Sequence, residues 1–203
     1  PCRIQTSNPG HCLFAGIATD EYARRTAKTL MSEDFFSGWG IRTLSASEVR
    51  YNPMSYHNGS VWPHDNAVIA AGFARYGLKE PVSKVITGLF EASLYLEMHR
   101  LPELFCGFPR REGEGPTLYP VACAPQAWAA GSVFLMLQAC LGLSVHASEG
   151  KVHFDSPALP ECINQIYLKN LRVDSSLLDL VVDRTFQGIG VERRQGDASI
   201  VIS

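Results

Sequence analysis

The sequence lacks a C-x-x-C pair, an apolar run of membrane-spanning length and an excess of one charge. Its six cysteines (2, 12, 106, 123, 140 and 162) are scattered, and most have apolar neighbours. This pattern predicts small core residues of a reduced, cytoplasmic protein rather than a disulfide framework. The 18 basic and 20 acidic residues give a net charge of -2. We therefore expect no nucleic-acid or membrane partner.

Two common types of hydrolytic site are also missing. No G-x-S-x-G elbow is present, which argues against a Ser-His-Asp hydrolase of the usual type. His57 and His64 are possible metal ligands, but no third ligand has a fitting spacing, so we expect neither a metal nor another cofactor. The chain begins Pro-Cys-Arg-Ile-Gln without Met. We expect it to be a piece of a longer protein.

What the sequence does contain is a polar and aromatic cluster at residues 55–66, SYHNGSVWPHDN. Gly59 and Pro63 interrupt the backbone, and an apolar run that reads as a buried helix follows. Loops held by a rigid scaffold often carry binding groups. Tyr56 and Trp62 offer flat faces for a sugar, and His57 and Asn58 offer hydrogen bonds to its hydroxyls. The structural alternative is a helix-capping loop in which Trp62 is a core anchor.

Hydrophobic residues make up 46% of the 203 residues, enough for a large domain with a sizeable core. Helical periodicity and capping residues predict five helices, at about residues 11–18, 21–31, 63–76, 81–98 and 126–143. In the last of these we expect five residues to face inward: Trp128, Val133, Phe134, Leu137 and Leu141. After residue 143 the pattern alternates as in strands. We predict a domain at 1–143, in which residues 8–143 are mostly helical, and a small antiparallel β-rich unit at 144–203.

Loop carboxylates are the next candidates, because hydrolysis of a glycosidic bond uses one acid and one base. Glu103 lies between apolar residues in a loop rich in proline and glycine. It is either desolvated, with a raised pKa, or paired with Arg110 or Arg111. For Asp65 we favour a structural role at the start of a helix. Glu97 reads as solvated helix surface.

Five segments in this order resemble the C-terminal catalytic half of the amylo-α-1,6-glucosidase, or glycogen-debranching, family. They are GWGIRTL at 38–44, YNP at 51–53, SYHNGSVWPHD at 55–65, LPELF at 101–105 and YPVACAPQAWAAG at 119–131. The resemblance covers about residues 5–190. The set is also similar to neutral invertases and related glucosidases of the α/α-barrel clan.

This resemblance implies a mainly α fold, as part of an (α/α)6 six-hairpin barrel, with a small β unit at its end. It implies inverting hydrolysis of α-glucosidic linkages, such as the α-1,6 branch points of glycogen-like glucans, with Glu103 as general base. The family's general acid lies upstream of the matched region, so we assign none. We expect stacking walls and hydroxyl-binding groups at Tyr56, His57, Asn58, Trp62, Arg110, Gln126 and Trp128.

Two other functions fit the same residues. One is a carbohydrate-binding protein without turnover, which the missing acid favours. The other is an α/α-barrel glycosidase or phosphorylase of different specificity, such as an invertase-like, trehalase-like or α-glucosidase member. An isolated half barrel has an open flank, which we expect the missing half or another copy to cover.

Overall fold

The computed structural model describes residues 3–186 and 188–203. It divides into two compact units, Pro1–Met136 and Leu137–Ser203. The described residues form five α-helices: α1 (Pro9–Ala15), α2 (Asp20–Leu30), α3 (Pro63–Arg75), α4 (Lys79–Ser93) and α5 (Ala127–Leu141). Short 3-10 turns lie at Glu97–His99 and Ala147–Glu149. Within these described ranges we find no helix with the length and hydrophobicity of a bilayer span.

The first unit is built on α1, α3 and α4. Thr19 caps α2 by accepting a hydrogen bond from the Tyr22 amide, and Pro63 occupies the first turn of α3, where its missing N–H costs nothing. Gly72 lets α1 and α3 approach closely, since a Cβ there would lie 2.9 Å from the Gly10 carbonyl oxygen. The buried side chains of α3 and α4, such as Phe73 and Leu89, form the core of this unit.

The prediction that residues 8–143 are mostly helical is wrong, because helices cover less than half of that range. Long irregular segments at 31–62 and 94–126 take the rest. Their backbone groups bond through isolated bridges, such as Arg42 with Val61, and through turns. These segments carry the candidate site.

In the part of the second unit that the structure describes, six strands form two three-stranded sheets: β1 (Leu143–His146), β2 (Lys151–Phe154), β3 (Gln165–Val173), β4 (Ser176–Thr185), β5 (Gly188–Gln195) and β6 (Ser199–Ile202). The sheet orders are β1-β2-β6 and β3-β4-β5. Phe154, Leu178 and Val182 lie in its fully buried core. The prediction of strands after residue 143 is confirmed, but the unit is not wholly antiparallel, because β2 and β6 pair in parallel.

Two expectations about burial are wrong. In α5, Leu141 is buried, whereas Trp128, Val133 and Phe134 are 48%, 41% and 76% exposed. The helix is apolar on most sides, so its periodicity does not single out one buried face. Among the cysteines, 106 and 140 are buried but 12, 123 and 162 are exposed, and Cys2 lies outside the described residues.

Candidate functional site

Short backbone pairings align the loops that carry the predicted site residues. Val61 exchanges two hydrogen bonds with Phe105, at N–O distances of 2.9 and 3.0 Å. Val61 also bridges to Arg42, and Phe105 bridges to Leu118. Four segments distant in sequence therefore lie side by side, and the loop of Glu103 is held next to the loop of Tyr56 and Trp62.

The loops that carry Gly59 and Gly107 approach each other closely. A Cβ on Gly107 would lie 1.7 Å from the Gly59 carbonyl oxygen, so only glycine fits there. The Gly107 carbonyl accepts hydrogen bonds from Arg42 Nε at 2.7 Å and from the Tyr51 hydroxyl at 3.1 Å. Arg42 is 3% exposed, so its guanidinium acts as an internal tie rather than as a substrate-binding group.

Asn66 fixes the start of α3 to the same framework. Its Oδ1 accepts from the Ile41 amide at 2.7 Å, and its Nδ2 donates to the carbonyls of Ile41 and Trp62 at 3.0 Å each. The side chain is fully buried and satisfied at both ends. These hydrogen bonds fix the start of α3, and with it the backbone that carries the rings of Trp62 and His64.

Glu103 is held by polar groups on both carboxylate oxygens. The Tyr56 hydroxyl donates to Oε1 at 2.6 Å, and the Cys123 amide donates to Oε2 at 3.3 Å. The Tyr56 hydrogen bond is the main reason why the pKa of Glu103 lies below its usual value, and Cys123 and Gln126 lower this pKa further against the opposing effect of burial. The same contact raises the pKa of Tyr56 to about 12. The pair is thus an ionised carboxylate with a neutral phenol at pH 7.

The expected alternatives for Glu103, a raised pKa or an ion pair with a nearby arginine, are wrong. Arg110 pairs with Glu91, and its guanidinium lies 4.4 Å from the centre of the Trp39 ring. Arg111 pairs with Glu114 at 3.2 Å. The Arg110 amide donates to the Ser37 carbonyl, which directs this part of the loop toward Trp39.

An aromatic cluster surrounds the Tyr56–Glu103 pair. The Tyr56 ring meets Trp62 edge to face at 4.8 Å and Tyr119 at 5.6 Å between centroids. Trp62 meets Trp128 at 6.0 Å and lies parallel to His57 at 5.8 Å. Trp62 is 5% exposed and its Nε1 donates to the Ser60 hydroxyl at 2.9 Å, whereas Trp128 is 48% exposed. Trp62 is therefore an anchor within the wall, and Trp128 is an open face.

A concavity of about 390 Å³ lies beside this cluster. Its lining combines rings with small polar groups and contains no Lys or Arg among the residues that the structure describes: Thr6, Ser7, Asn8, Thr43, His57, Trp62, His64, Asp65 and Trp128. Pockets of this size with a few convergent polar groups are typical of small-molecule sites. A cavity of similar size, lined by Leu96, Pro102 and Leu118, is more apolar and contains no predicted site residue.

Asp65 is a second buried carboxylate, in the first turn of α3. Ser7 Oγ donates to Oδ2 at 2.8 Å, and His11 Nε2 lies 2.5 Å from Oδ1. The hydrogen bond to Asp65, supported by its charge, raises the pKa of His11 against the effect of burial. Sequence reasoning gave Asp65 only a helix-start role. No local pattern marks these contacts, because Ser7 and His11 lie 58 and 54 positions from Asp65 in the chain.

His64 completes the lining. Its ring stacks on Trp128 at 3.9 Å with an interplanar angle of 6°. Burial lowers the pKa of His64, so the ring is neutral at pH 7. Its Nδ1 atom is buried and has no hydrogen-bond partner among residues 3–186 and 188–203. We find no group of three or more His, Cys, Asp or Glu placed to hold a metal in the described part of the chain.

The structure brings together most but not all of the predicted site residues. Tyr56, His57, Trp62 and Trp128 are linked by ring contacts, and Gln126 and Tyr56 contact Glu103. Two predicted residues are not drawn in. Asn58 is exposed, and its backbone N–H donates to Ser55 Oγ. Arg110 contacts Glu91 and Trp39 instead.

Comparison with known proteins identifies one family. Residues 2–103 match the model of the mannosylglycerate hydrolase MGH1-like glycoside hydrolase domain. A search of curated proteins finds no significant match.

Two solved structures from Thermus thermophilus are similar in fold. An uncharacterized conserved protein is 19% identical with a TM-score of 0.51, over 66% of this chain and 31% of that one. A GH63 mannosylglycerate hydrolase in complex with glucose is 21% identical with a TM-score of 0.52, over 67% of this chain and 30% of that one. This chain thus spans about a third of each structure that it resembles.

Proposed function

The chain belongs to the family of mannosylglycerate hydrolase MGH1-like glycoside hydrolase domains, and we propose that it carries the general-base part of an inverting glycosidase. The observation that supports this role is the Tyr56–Glu103 hydrogen bond of 2.6 Å, which favours an ionised carboxylate within an aromatic wall. A carboxylate that is ionised at neutral pH can accept a proton, which is what a base requires and an acid does not.

In the proposed reaction, Glu103 takes a proton from a water molecule as that water attacks the anomeric carbon. The leaving oxygen must receive a proton from a second carboxylic acid, which in inverting enzymes stands about 6.5–9.5 Å from the base. We assign no acid within this chain. Because the chain spans only 31% and 30% of the two similar structures, we propose that the acid comes from outside these residues.

We propose α-glucosidic linkages as the substrate, and in particular the α-1,6 branch points of glycogen-like glucans. The sequence resemblance to the debranching family supports this choice. The described lining has an exposed Trp128 face and no Lys or Arg, which suits a neutral sugar better than the anionic glycerate of mannosylglycerate. The similar GH63 hydrolase was solved with glucose. We also propose a cytoplasmic location, because the scattered cysteines of the sequence are not typical of a disulfide framework.

We also propose that α1–α5 are part of a six-hairpin α/α barrel whose flank is open here. The exposed apolar side chains of α5 include Phe134, which is 76% exposed, and the adjacent Val133, which is 41% exposed. Exposed apolar groups of this size on one helix are typical of a surface that another element covers. The rest of the barrel or a second copy of the chain would cover it.

The experiment measures glucose release from a branched α-glucan by three proteins: this chain, a longer form of the protein with upstream residues added, and that longer form with Glu103→Gln. Loss of general-base assistance lowers the rate by about 10²–10⁴-fold. The exposed Glu112→Gln in the following loop is the matched control and should keep full activity. This chain alone should release little or no glucose.

Three further readings separate the alternatives. Release of the β anomer from an α-linked substrate supports inversion, and release of the α anomer opposes it. Faster turnover of mannosylglycerate than of the glucan would show that the substrate is a mannosylglycerate-type compound and not an α-glucan. Binding without hydrolysis by the longer form would favour the carbohydrate-binding alternative. An unchanged rate in Glu103→Gln would remove Glu103 from the mechanism.

A further inference from the structure

The two nitrogens of His64 lie in different surroundings. Nδ1 is buried and has no partner in the described part of the chain, while the residue as a whole lines the concavity beside Trp62 and Trp128. Nε2 is therefore the nitrogen left for a ligand. A neutral imidazole has one N–H donor and one acceptor. Because orphaned buried N–H groups are rarer than under-satisfied acceptors, we place the proton on Nε2.

Asp65 offers complementary chemistry in the same lining. One bond from Ser7 and one from His11 occupy part of its acceptor capacity, since two carboxylate oxygens have about four lone-pair sites. The two bonds also hold the carboxylate in one orientation. Asp65 is 8% exposed, so an additional donor would have to come from a molecule inside the concavity.

We infer that His64 and Asp65 are the specificity-determining polar pair of a subsite for one neutral hexose ring. In this subsite the His64 Nε2–H group donates to a sugar oxygen, and Asp65 accepts from a sugar hydroxyl. The Trp128 ring, exposed and stacked on His64, supplies the adjoining flat surface. A hydroxyl group both donates and accepts, so a polyol ring matches a donor and a fixed acceptor. The inference rests on the proposed glycosidase function and adds two residues to it.

The test replaces His64 with side chains that place a hydrogen-bond donor near only one of the two ring nitrogens, or near neither. His64→Gln places an amide N–H near the position of Nε2, His64→Asn places one near Nδ1, and His64→Phe keeps the ring stacking without a donor. Binding of methyl α-glucoside to this chain is followed by tryptophan fluorescence, with Trp62 and Trp128 as reporters. His146→Phe, an exposed histidine on β1, is the matched control. Circular dichroism checks the folding of each variant.

Loss of one neutral hydrogen bond corresponds to about a three- to tenfold rise in Kd. We expect this rise in His64→Asn and His64→Phe. For His64→Gln and for His146→Phe we expect a Kd within about twofold of that of the wild type. Asp65→Asn should also raise Kd, since it halves the acceptor capacity. If any of these variants fails to fold, the remaining His64 series decides the result.

Monodeoxy glucosides identify the hydroxyl that His64 contacts. The analogue lacking that hydroxyl should bind wild type and His64→Phe equally, whereas the other analogues should still show the rise. Wild-type affinity in the Asn and Phe variants, or the absence of saturable binding by the wild-type chain, would overturn the subsite. Neither result depends on Glu103, whose role is decided by the hydrolysis assay alone.

Discussion

The hydroxyl of Tyr56 lies 2.6 Å from Oε1 of Glu103, and the two residues are 47 positions apart in the chain. The bond favours the ionised carboxylate and the neutral phenol, lowering the pKa of Glu103 and raising that of Tyr56 to about 12. The Val61–Phe105 backbone pair next to it holds the two loops in register. The proposed base thus depends on a phenol from the loop that also supplies the aromatic wall.

Tyr56→Phe tests this dependence. The variant keeps the ring contact with Trp62 but removes the donor, so the pKa of Glu103 should rise. In a longer, active form of the protein the acid limb of the kcat/KM profile should therefore move to higher pH, because that limb reports the base of the free enzyme. Tyr51→Phe removes a phenol that bonds to Gly107 instead, and should leave the limb in place. An unshifted limb in Tyr56→Phe would show that the phenol does not set the charge of the base.

Gly107→Ala tests the close approach of the two loops. A Cβ 1.7 Å from the Gly59 carbonyl oxygen forces the backbones apart, and we expect a loss of about 2 kcal/mol or more in unfolding free energy. Gly131→Ala is the control, because a Cβ there meets nothing within 4 Å and the residue lies inside α5. That variant should gain roughly 0.5–1 kcal/mol from helix propensity. Urea unfolding measures both, and equal midpoints would refute the proposed fit.

Local signals in the sequence predict the helices well. Thr19 caps α2 and Pro63 begins α3 because each acts within a few residues of itself. The change of period after residue 143 marks β1 for the same reason. Periodicity gave no account of the segments at 31–62 and 94–126, since their bonds run between side chains and distant backbone groups. Arg42 with Gly107, 65 positions apart, is one such bond.

The candidate site shows the same limit. The sequence singles out Glu103, Tyr56 and Trp62 as chemistry-bearing groups in loops. It does not reveal the contact of Asp65 with Ser7, because that bond spans 58 positions. Nor does it distinguish the two sides of α5, where Phe134 is exposed and Leu141 is buried. Hydropathy is a property of the side chain alone, so it has the same value for a buried and for an exposed apolar residue and cannot tell the two apart.

Phe134→Ser tests the proposal that α5 presents an open flank. If a second copy covers this face, the wild-type chain should self-associate as its concentration rises, and the variant should do so less. Sedimentation velocity measures the change. Phe186→Ser is the control, since Phe186 is also exposed but lies in the β unit. Wild-type chains that stay monomeric at high concentration would contradict cover by a second copy.

His11→Gln tests the tie between α1 and α3. Asp65 raises the pKa of His11 above its ordinary 6.5, so the protonated pair stabilises the fold fully below the unfolded pKa. That stability is lost as pH rises through the raised, folded-state pKa. The variant should therefore unfold at lower urea than wild type at pH 5.5, by about 0.5 kcal/mol for a pair whose histidine is 46% exposed. The difference should shrink as pH approaches 8.5.

Measuring His11→Gln in the Asp65→Asn background separates the effect of the His11–Asp65 pair from that of the neighbouring His64. Burial lowers the pKa of His64; the charge of Asp65 opposes that lowering and the charge of His11 adds to it, so part of any pH dependence passes through His64. With Asn at position 65 the charge is gone, and His11→Gln should then have the same small effect at every pH. A pH-dependent difference that persists in this background would show that His11 titrates against another group. A raised pKa of His11 requires that the difference in unfolding free energy between wild type and His11→Gln shrink as pH rises. If that difference instead grows with pH, the His11–Asp65 ion pair does not stabilise the contact between α1 and α3.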